Sequence, residues 1–491
     1  MRLPGRPTIY EINTAVWLGD LSRRLGRPVR LSTVPAIEWD RLAALRVDAV
    51  WLMGVWRRSA GGLAIAERNP GLMASFRATL PDLQPGDVIG SPYCVRDYEL
   101  EPRFGGPGAL AKARAALADR GIGLILDYVP NHVAPDHTWT SDHPEYFIHG
   151  TAAELEADPA AFLETAAGVL ANGKDPYFSP WPDVVQLNAF SPELREAATR
   201  TLVSIGEQCD GVRCDMAMLM TNEVFARTWG ERAGHQPAED YWQSIIAAVR
   251  AGDPDLVFIA EAYWDMEWTL QQQGFDFCYD KRLYDRLVGE SAQSVRSHLQ
   301  AAPDYQERLV RFIENHDEPR AADTFTPEQE RAAAVVMSTL EGARLYHAGQ
   351  FDGLHTHVPV FLARGPEQPG DRELRDFYEK LLAAVAESDL RDGDWQLCEC
   401  RGWPDNGSAG QLVSWCWRAN GRRHLVVVNL ASGEAQARIR LPWSDLSGRA
   451  WRLTDALSGR DFERDGTELQ DQGLYVGMGP WEPYFLALAD C

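Results

Sequence analysis

Four short stretches of the chain run apolar for several residues and then stop at a carboxylate. They are Gly123-Leu124-Ile125-Leu126-Asp127, Gly211-Val212-Arg213-Cys214-Asp215, Leu256-Val257-Phe258-Ile259-Ala260-Glu261 and Arg311-Phe312-Ile313-Glu314-Asn315-His316-Asp317. An apolar run without alternation reads as a strand buried on both faces, as in a parallel sheet. The charge then sits at the carboxyl end of that strand. In a barrel of alternating strands and helices, all strand ends meet at one rim, where catalysis takes place. Asp127, Asp215, Glu261 and Asp317 are therefore expected in one place. Carboxylates gathered in this way suit acid/base and nucleophilic work.

The rest of the pattern supports a barrel. Strand-like runs at 8–12, 49–55, 122–129, 211–216, 256–261, 275–279, 309–314 and 344–347 alternate with helix-like runs at 36–45, 109–119, 192–205, 240–250, 282–300 and 328–340. Leu374, Phe377, Tyr378, Leu381, Leu382 and Val385 then follow the i, i+3, i+4, i+7 rule of an amphipathic helix. Eight strand-helix units are the count of a closed (β/α)8 TIM barrel, expected over 1–130 and 191–388. From 56 to about 106 a long polar loop is expected. Residues 131–190 break the rhythm with Pro144, Pro159, Pro176, Pro180 and Pro182, and read as a small domain inserted after the third strand. From 389 to 491 the runs become short. Those at 412–418 and 424–430 meet at Asn420-Gly421, a favoured hairpin turn, so a C-terminal all-β sandwich is expected.

Composition excludes several function classes. Asp+Glu number 71 against 48 Lys+Arg, a formal charge of -23 that repels polyphosphate, so no nucleic-acid partner is expected. The first ten residues lack the apolar core of a secretory signal, and no run of about eighteen apolar residues could span a membrane. The expected location is cytoplasmic. Eight cysteines in 491 residues do not make a disulfide framework. Cys214 and Cys278 lie in expected core strands and read as small buried hydrophobes.

Past each strand end the chain carries more. Asp127-Tyr128-Val129-Pro130-Asn131-His132, Gly211-Val212-Arg213-Cys214-Asp215, Glu261 and Asn315-His316-Asp317 occur in this order. Together they resemble the four signature regions of the α-amylase family of glycoside hydrolases, family 13. Tyr10-Glu11-Ile12, the inserted segment and the β-rich tail extend the resemblance over nearly the whole chain. It implies a retaining enzyme that cleaves α-glucosidic bonds by double displacement. Asp215 matches the nucleophile, Glu261 the acid/base and Asp317 the third carboxylate, which grips sugar hydroxyls. Arg213 would hold Asp215 ionised, and like charges would push Glu261 toward its protonated form. His132 and His316 match sugar-binding histidines, and Tyr93 an aromatic on which the sugar stacks. Asp127 is expected to support the rim. Trp139, Trp181, Trp264 and Trp268 are candidate sugar platforms.

The departures from the family narrow the substrate. Many starch-cleaving members carry Lys and His three and four positions after the nucleophile; here Met218 and Leu219 stand there. Asn131 matches a calcium ligand, but its acidic partner is replaced within Gln186-Leu187-Asn188, so no metal and no cofactor are expected. The expected substrate is a short oligosaccharide or small α-glucoside. Two alternatives stay open: transglycosylation or isomerisation at the same site, and a non-catalytic carbohydrate-binding or assembly module. Each carboxylate alone could be an ordinary helix cap or ion-pair partner. Oligomeric state is not legible from the chain.

Overall fold

The computed structural model describes residues 2–491. Its central element is a closed barrel of eight strands. They are β1 (Thr8–Asn13), β2 (Ala49–Met53), β3 (Gly123–Tyr128), β4 (Gly211–Cys214), β5 (Val257–Ala260), β6 (Phe277–Tyr279), β7 (Leu309–Arg311) and β8 (Ala343–His347). Neighbours in space are neighbours in this series, and β8 lies beside β1. Every residue of β2, β3, β4, β7 and β8 is buried, as two-faced burial requires. The four runs that end in carboxylates are therefore barrel strands. β7 is shorter than its sequence pattern: Phe312 to Glu314 lie beyond its last paired residue, Arg311.

By its contacts the chain divides into two compact units. One comprises 2–4, Ile9–Tyr279 and Thr356–Glu367; the other comprises Gly5–Thr8, Asp280–His355 and Gln368–Cys491.

In the first unit, β4 is paired in parallel with β3 on one side and β5 on the other. Residues 56–106 are not the expected loop. They contain helices Ala60–Arg68 and Pro70–Thr79 and a short antiparallel pair, Trp56–Arg58 with Val95–Leu100. Ser59 caps the first helix by accepting from Gly62 N, and Asn69 caps the second by accepting from Gly71 N and Leu72 N. Phe76 of the second helix packs with Leu80, Val88 and Leu362. The segment after β3 carries a four-stranded antiparallel sheet in the order His132–Val133, Trp181–Gln186, Gly168–Gly173, Phe162–Thr165. Its own small core is Val133, Tyr146, Phe147, Leu170, Val185 and Leu187.

In the second unit, the helical run at 282–300 is two helices, Lys281–Gly289 and Ala292–His298. Ser291 breaks them by capping the second, accepting from Ser294 N. The tail forms a six-stranded and a three-stranded antiparallel sheet. Leu425, Val427 and Leu486 of the first sheet and Ile439, Leu474 and Val476 of the second share one core. The hairpin Leu412–Ala419 to Arg422–Asn429 turns at Asn420 and Gly421, both with positive φ (49° and 80°). Trp415 and Trp417 both donate from Nε1 to Thr339 O, at 3.0 and 2.8 Å.

Among the described residues no helix is long and apolar enough to cross a membrane, and all eight cysteines are free.

Candidate active site

The first unit's site is built around one guanidinium. Register places Arg213 of β4 level with Asp127 of β3, so both side chains point to the same face of the sheet. That face is sealed: Arg213 is 1% exposed. Its Nη1 donates to Asp215 Oδ1 at 2.7 Å and lies 3.8 Å from Asp127 Oδ1. Its Nη2 lies 2.7 Å from Glu261 Oε2. The rings of Trp51, Tyr93 and Tyr279 surround it at 5.3, 5.3 and 5.8 Å. Burial by itself works against the charge, but Glu261, Tyr93, Tyr279 and Asp215 outweigh it and hold the group well above its ordinary pKa. Asp127, Asp215, Glu261, Arg213 and Tyr93 are thus brought together.

Each carboxylate has a different backbone environment. Asp127 Oδ2 accepts from Gly54 N at 2.8 Å, while its carbonyl accepts from Trp56 Nε1 at 2.7 Å. Gly54 has φ 77°, and a Cβ there would meet Pro92 Cβ at 2.7 Å. Asp127 therefore fastens the turn after β2. Glu261 Oε2 accepts from Met216 N at 2.6 Å and Oε1 from Tyr263 Oη at 3.0 Å. Met216 directly follows Asp215 and holds φ 41°, a left-handed conformation unusual for this residue type. A guanidinium and two neutral donors facing Glu261 suit a carboxylate oxygen. Strands β4 and β5 place Arg213 between the two acids, so a cation joins the like-charge surroundings the sequence suggests.

His132 is buried, and burial pushes it down to about 4, with Tyr93 opposing through a backbone contact. Its ring lies 5.3 Å from Trp181. Its Nδ1 is 3.3 Å from Asn131 Nδ2, which can only donate. The proton of this neutral imidazole is therefore on Nε2.

The calcium question is decided by one side chain. Gln186 Nε2 donates to Asn131 Oδ1, Asn131 O and Leu187 O, each at 2.9 Å, and Gln186 Oε1 accepts from Asn131 Nδ2 at 3.2 Å. Calcium requires oxygens directed at a common point, with carboxylates among them. Here an amide N–H group faces those oxygens, and both side chains are neutral. The residues do not suit the ion. Among the described residues no group of three or more His, Cys, Asp or Glu side chains is arranged for a metal.

In the second unit His316 is buried, and its Nε2 lies 2.9 Å from Asp317 Oδ2. Asn315 Oδ1 accepts from the backbone of Asp317 and Glu318, both at 2.9 Å, and so shapes the turn. Behind it, Glu314 accepts from Ala321 N at 2.7 Å and pairs with Arg320 at 3.0 Å and His347 at 3.1 Å. Sequence reasoning did not single out Glu314, Arg320 and His347. The signal was present, since Glu314 also ends an apolar run.

Met218 and Leu219 are buried in the three-ten turn Ala217–Met220. Of the candidate platforms, Trp181 adjoins His132. Trp139 packs on His137 and Tyr146. Trp264 meets Tyr177 edge-on at 4.8 Å, and Trp268 is exposed.

A family profile described as "Alpha amylase, catalytic domain" matches residues 39–359. Alpha-amylase MalA of Haloarcula japonica is 23% identical over 408 residues, covering 80% of this chain and 51% of its own length. Alpha-1,4-glucan:maltose-1-phosphate maltosyltransferase 2 of Streptomyces coelicolor is 27% identical over 285 residues, 54% of this chain and 37% of its own. The chain thus spans about half the length, or less, of these curated relatives. The crystal structure of the maltogenic α-amylase AmyB from Thermotoga neapolitana superposes with a TM-score of 0.71 at 21% identity, covering 99% of each chain. That likeness speaks to the fold.

Proposed function

This chain belongs to the alpha-amylase family, and we propose that it is a retaining α-glycoside hydrolase acting on short α-glucosides. The observation that carries the reading is the grip of one buried guanidinium on both Asp215 and Glu261. Two carboxyl groups tied to one guanidinium fit the close spacing of a retaining pair, about 5–5.5 Å, better than the wider gap of an inverting one.

Asp215 attacks the anomeric carbon and forms a glycosyl ester as the bond to the leaving oxygen breaks. Glu261 supplies the proton that oxygen needs. Glu261 then removes a proton from the incoming water, whose oxygen displaces Asp215. The contacts of Glu261 in the free protein are those of the base form, so substrate entry must loosen its hold on Arg213 before it acts as an acid. Arg213 keeps Asp215 ionised and oriented, His132 donates from Nε2 to a sugar hydroxyl, and Tyr93 offers its ring. His316 and Asp317 bind sugar hydroxyls. Asp127 fastens the turn at Gly54.

Substituting Asp215→Asn should abolish turnover on a panel of α-linked disaccharides and malto-oligosaccharides with the fold intact. Glu261→Gln should lose about 10²–10⁴-fold on ordinary glucosides and much less on a glucosyl fluoride, whose leaving group needs little protonation. Near-native activity of either variant on a disaccharide would refute the roles.

Transfer to a sugar hydroxyl is the second reading, favoured by the maltosyltransferase relatives and by the absence of polar side chains at Met218 and Leu219. Release of free glucose alone at every acceptor concentration would exclude it.

A further inference from the structure

A buried ion pair stands directly behind the turn that carries His316 and Asp317, and no step of the reaction uses it. Glu314 lies three residues past the last paired residue of β7. Its side chain is 1% exposed, and that of its partner Arg320 is 4% exposed. Such a pair seldom offsets its own desolvation, and well-packed apolar side chains in its place are often as stable or more so. Stability therefore does not account for it. What a buried pair does supply is direction, because both groups are held to one geometry.

The guanidinium of Arg320 has partners on several sides. Its Nη1 lies 3.0 Å from Glu314 Oε1 and 2.7 Å from His347 Nδ1. Its Nη2 donates to Ala348 O at 3.0 Å and its Nε to Leu354 O at 3.2 Å. A guanidinium can only donate, so the His347 nitrogen facing it accepts. One planar fork thus joins the end of β7 to the end of β8 and to the loop that follows. Gly349 makes room for it: φ is 94° there, and a Cβ would collide with Arg320 Nη2. Gln350 fastens the same loop from behind. Its Oε1 accepts from His347 N at 3.2 Å, and its Nε2 donates to Tyr378 Oη at 3.0 Å.

What this fork holds is the turn. Glu314 Oε2 accepts from Ala321 N at 2.7 Å, and Asn315 Oδ1 accepts from Asp317 N and Glu318 N at 2.9 Å. Glu318 Oε1 in turn lies 3.2 Å from Lys281 Nζ. The chain is fastened before, within and after Asp317. The His316 side chain is 2% exposed and that of Asp317 42% exposed, so the carboxylate is presented outward from a rigid base. A group that must meet sugar hydroxyls in the transition state has to be placed to a fraction of an ångström. We propose that Arg320, with Glu314 as its counter-ion, is a positioning residue that sets where Asp317 meets the sugar, and so favours the transition state without touching substrate. Lysine could not do this, since a single ammonium cannot span the four acceptors that the planar fork reaches. The inference rests on the α-glucosidic reading for the role of Asp317.

The test is a double-mutant cycle on the full-length protein, with folding checked by near-UV circular dichroism. Arg320→Lys and Glu314→Gln are each made alone and together with Asp317→Asn. Glu314→Gln keeps an acceptor for Ala321 N, so it carries the test if Arg320→Lys does not fold. The substrate is α-glucosyl fluoride, whose reactive leaving group keeps residual rates measurable. Arg320→Lys should lower kcat roughly 10- to 100-fold and Glu314→Gln roughly 3- to 10-fold, with KM within about twofold of the parent. Beside Asp317→Asn, where the group being placed is already disabled, the same changes should lower kcat by less than about twofold more. Losses that multiply in full with that of Asp317→Asn overturn the proposal, because the pair would then act without Asp317. Parent-like kcat in both folded single variants overturns it as well. If the intact protein turns over no α-glucoside, the barrel's function fails, and the His316 ring reads the brace instead. Its nitrogen and proton resonances, assigned by their loss in His316→Gln, should shift in both variants, and unmoved resonances would overturn the positioning role.

Discussion

Replacing Arg213 by glutamine tests whether this buried cation holds the carboxylates around it. The substitution removes a cation that faces Asp215 and Glu261 at 2.7 Å and Asp127 at 3.8 Å, in a place where Arg213 itself is 1% exposed. Breaking a buried pair by deleting one partner costs about 3–5 kcal/mol, because the other charge stays buried. The loss of contact with three aromatic rings adds to this, so about 4 kcal/mol or more is expected at pH 7. The cost should fall on acidification. Once unpaired, buried carboxylates in the variant bind protons more readily than in its unfolded chain. The folded variant then takes up protons first, and lower pH favours it. Urea unfolding at pH 7 and pH 5, followed by near-UV circular dichroism, should show the gap to the parent protein narrowing. Misplacement of Asp215 should also lower kcat by about 10²-fold or more. A destabilisation below about 1 kcal/mol at pH 7, or one that does not change with pH, would refute the reasoning.

Other outcomes follow from the remaining geometry. EDTA should leave both thermal midpoint and activity unchanged, measured by calorimetry and product release, since Asn131 and Gln186 satisfy each other. Gln186→Asp should instead weaken the protein, by leaving a carboxylate among the carbonyls of Asn131 and Leu187. His132, His137 and His424 are each pushed by burial to about 4, below their unfolded value. Their contribution to stability is therefore complete above about pH 6.5 and lost as pH falls toward 4, so denaturation midpoints should drop across that window. Glu330 is buried, and burial raises it to about 7 against the opposing bond from Tyr378. Its contribution is lost as pH rises through 7, so Glu330→Gln should stabilise the protein at pH 8, by on the order of 2–3 kcal/mol, and hardly at pH 5.

The barrel was legible because two-faced burial leaves a simple trace: strands such as Leu124 to Leu126 have no polar residue to interrupt them. The helices at 60–79 were not, since Gly61, Gly62, Pro70 and Gly71 lie in them and Ser59 and Asn69 read as loop residues until their caps are seen. Glycine and proline near a helix start carry the same letters as a turn. At the site, Asp215 and its helper Arg213 could be paired from spacing alone, because two residues along a strand share a face. The second partner of Arg213, Glu261, could not. It comes from an adjacent strand, whose register sets Ile259 opposite Arg213 and so carries Glu261 two residues beyond it, within reach of the guanidinium. The same holds for Gln186, whose role depends on a sheet that returns from residue 181 to meet Asn131 and His132.

The backbone at Met216 has a consequence for how this chain can change. Its amide donates to Glu261, and the chain turns away directly after it at φ 41°. The tie between the nucleophile's strand and Glu261 is thus made by the main chain rather than by the methionine side chain. Residues that accept left-handed geometry, glycine and asparagine foremost, could replace Met216 and leave the pair in register. Valine or isoleucine, though closer to methionine in hydrophobicity, would strain the backbone at this positive φ. Sequence drift at this position should therefore follow conformation and ignore polarity.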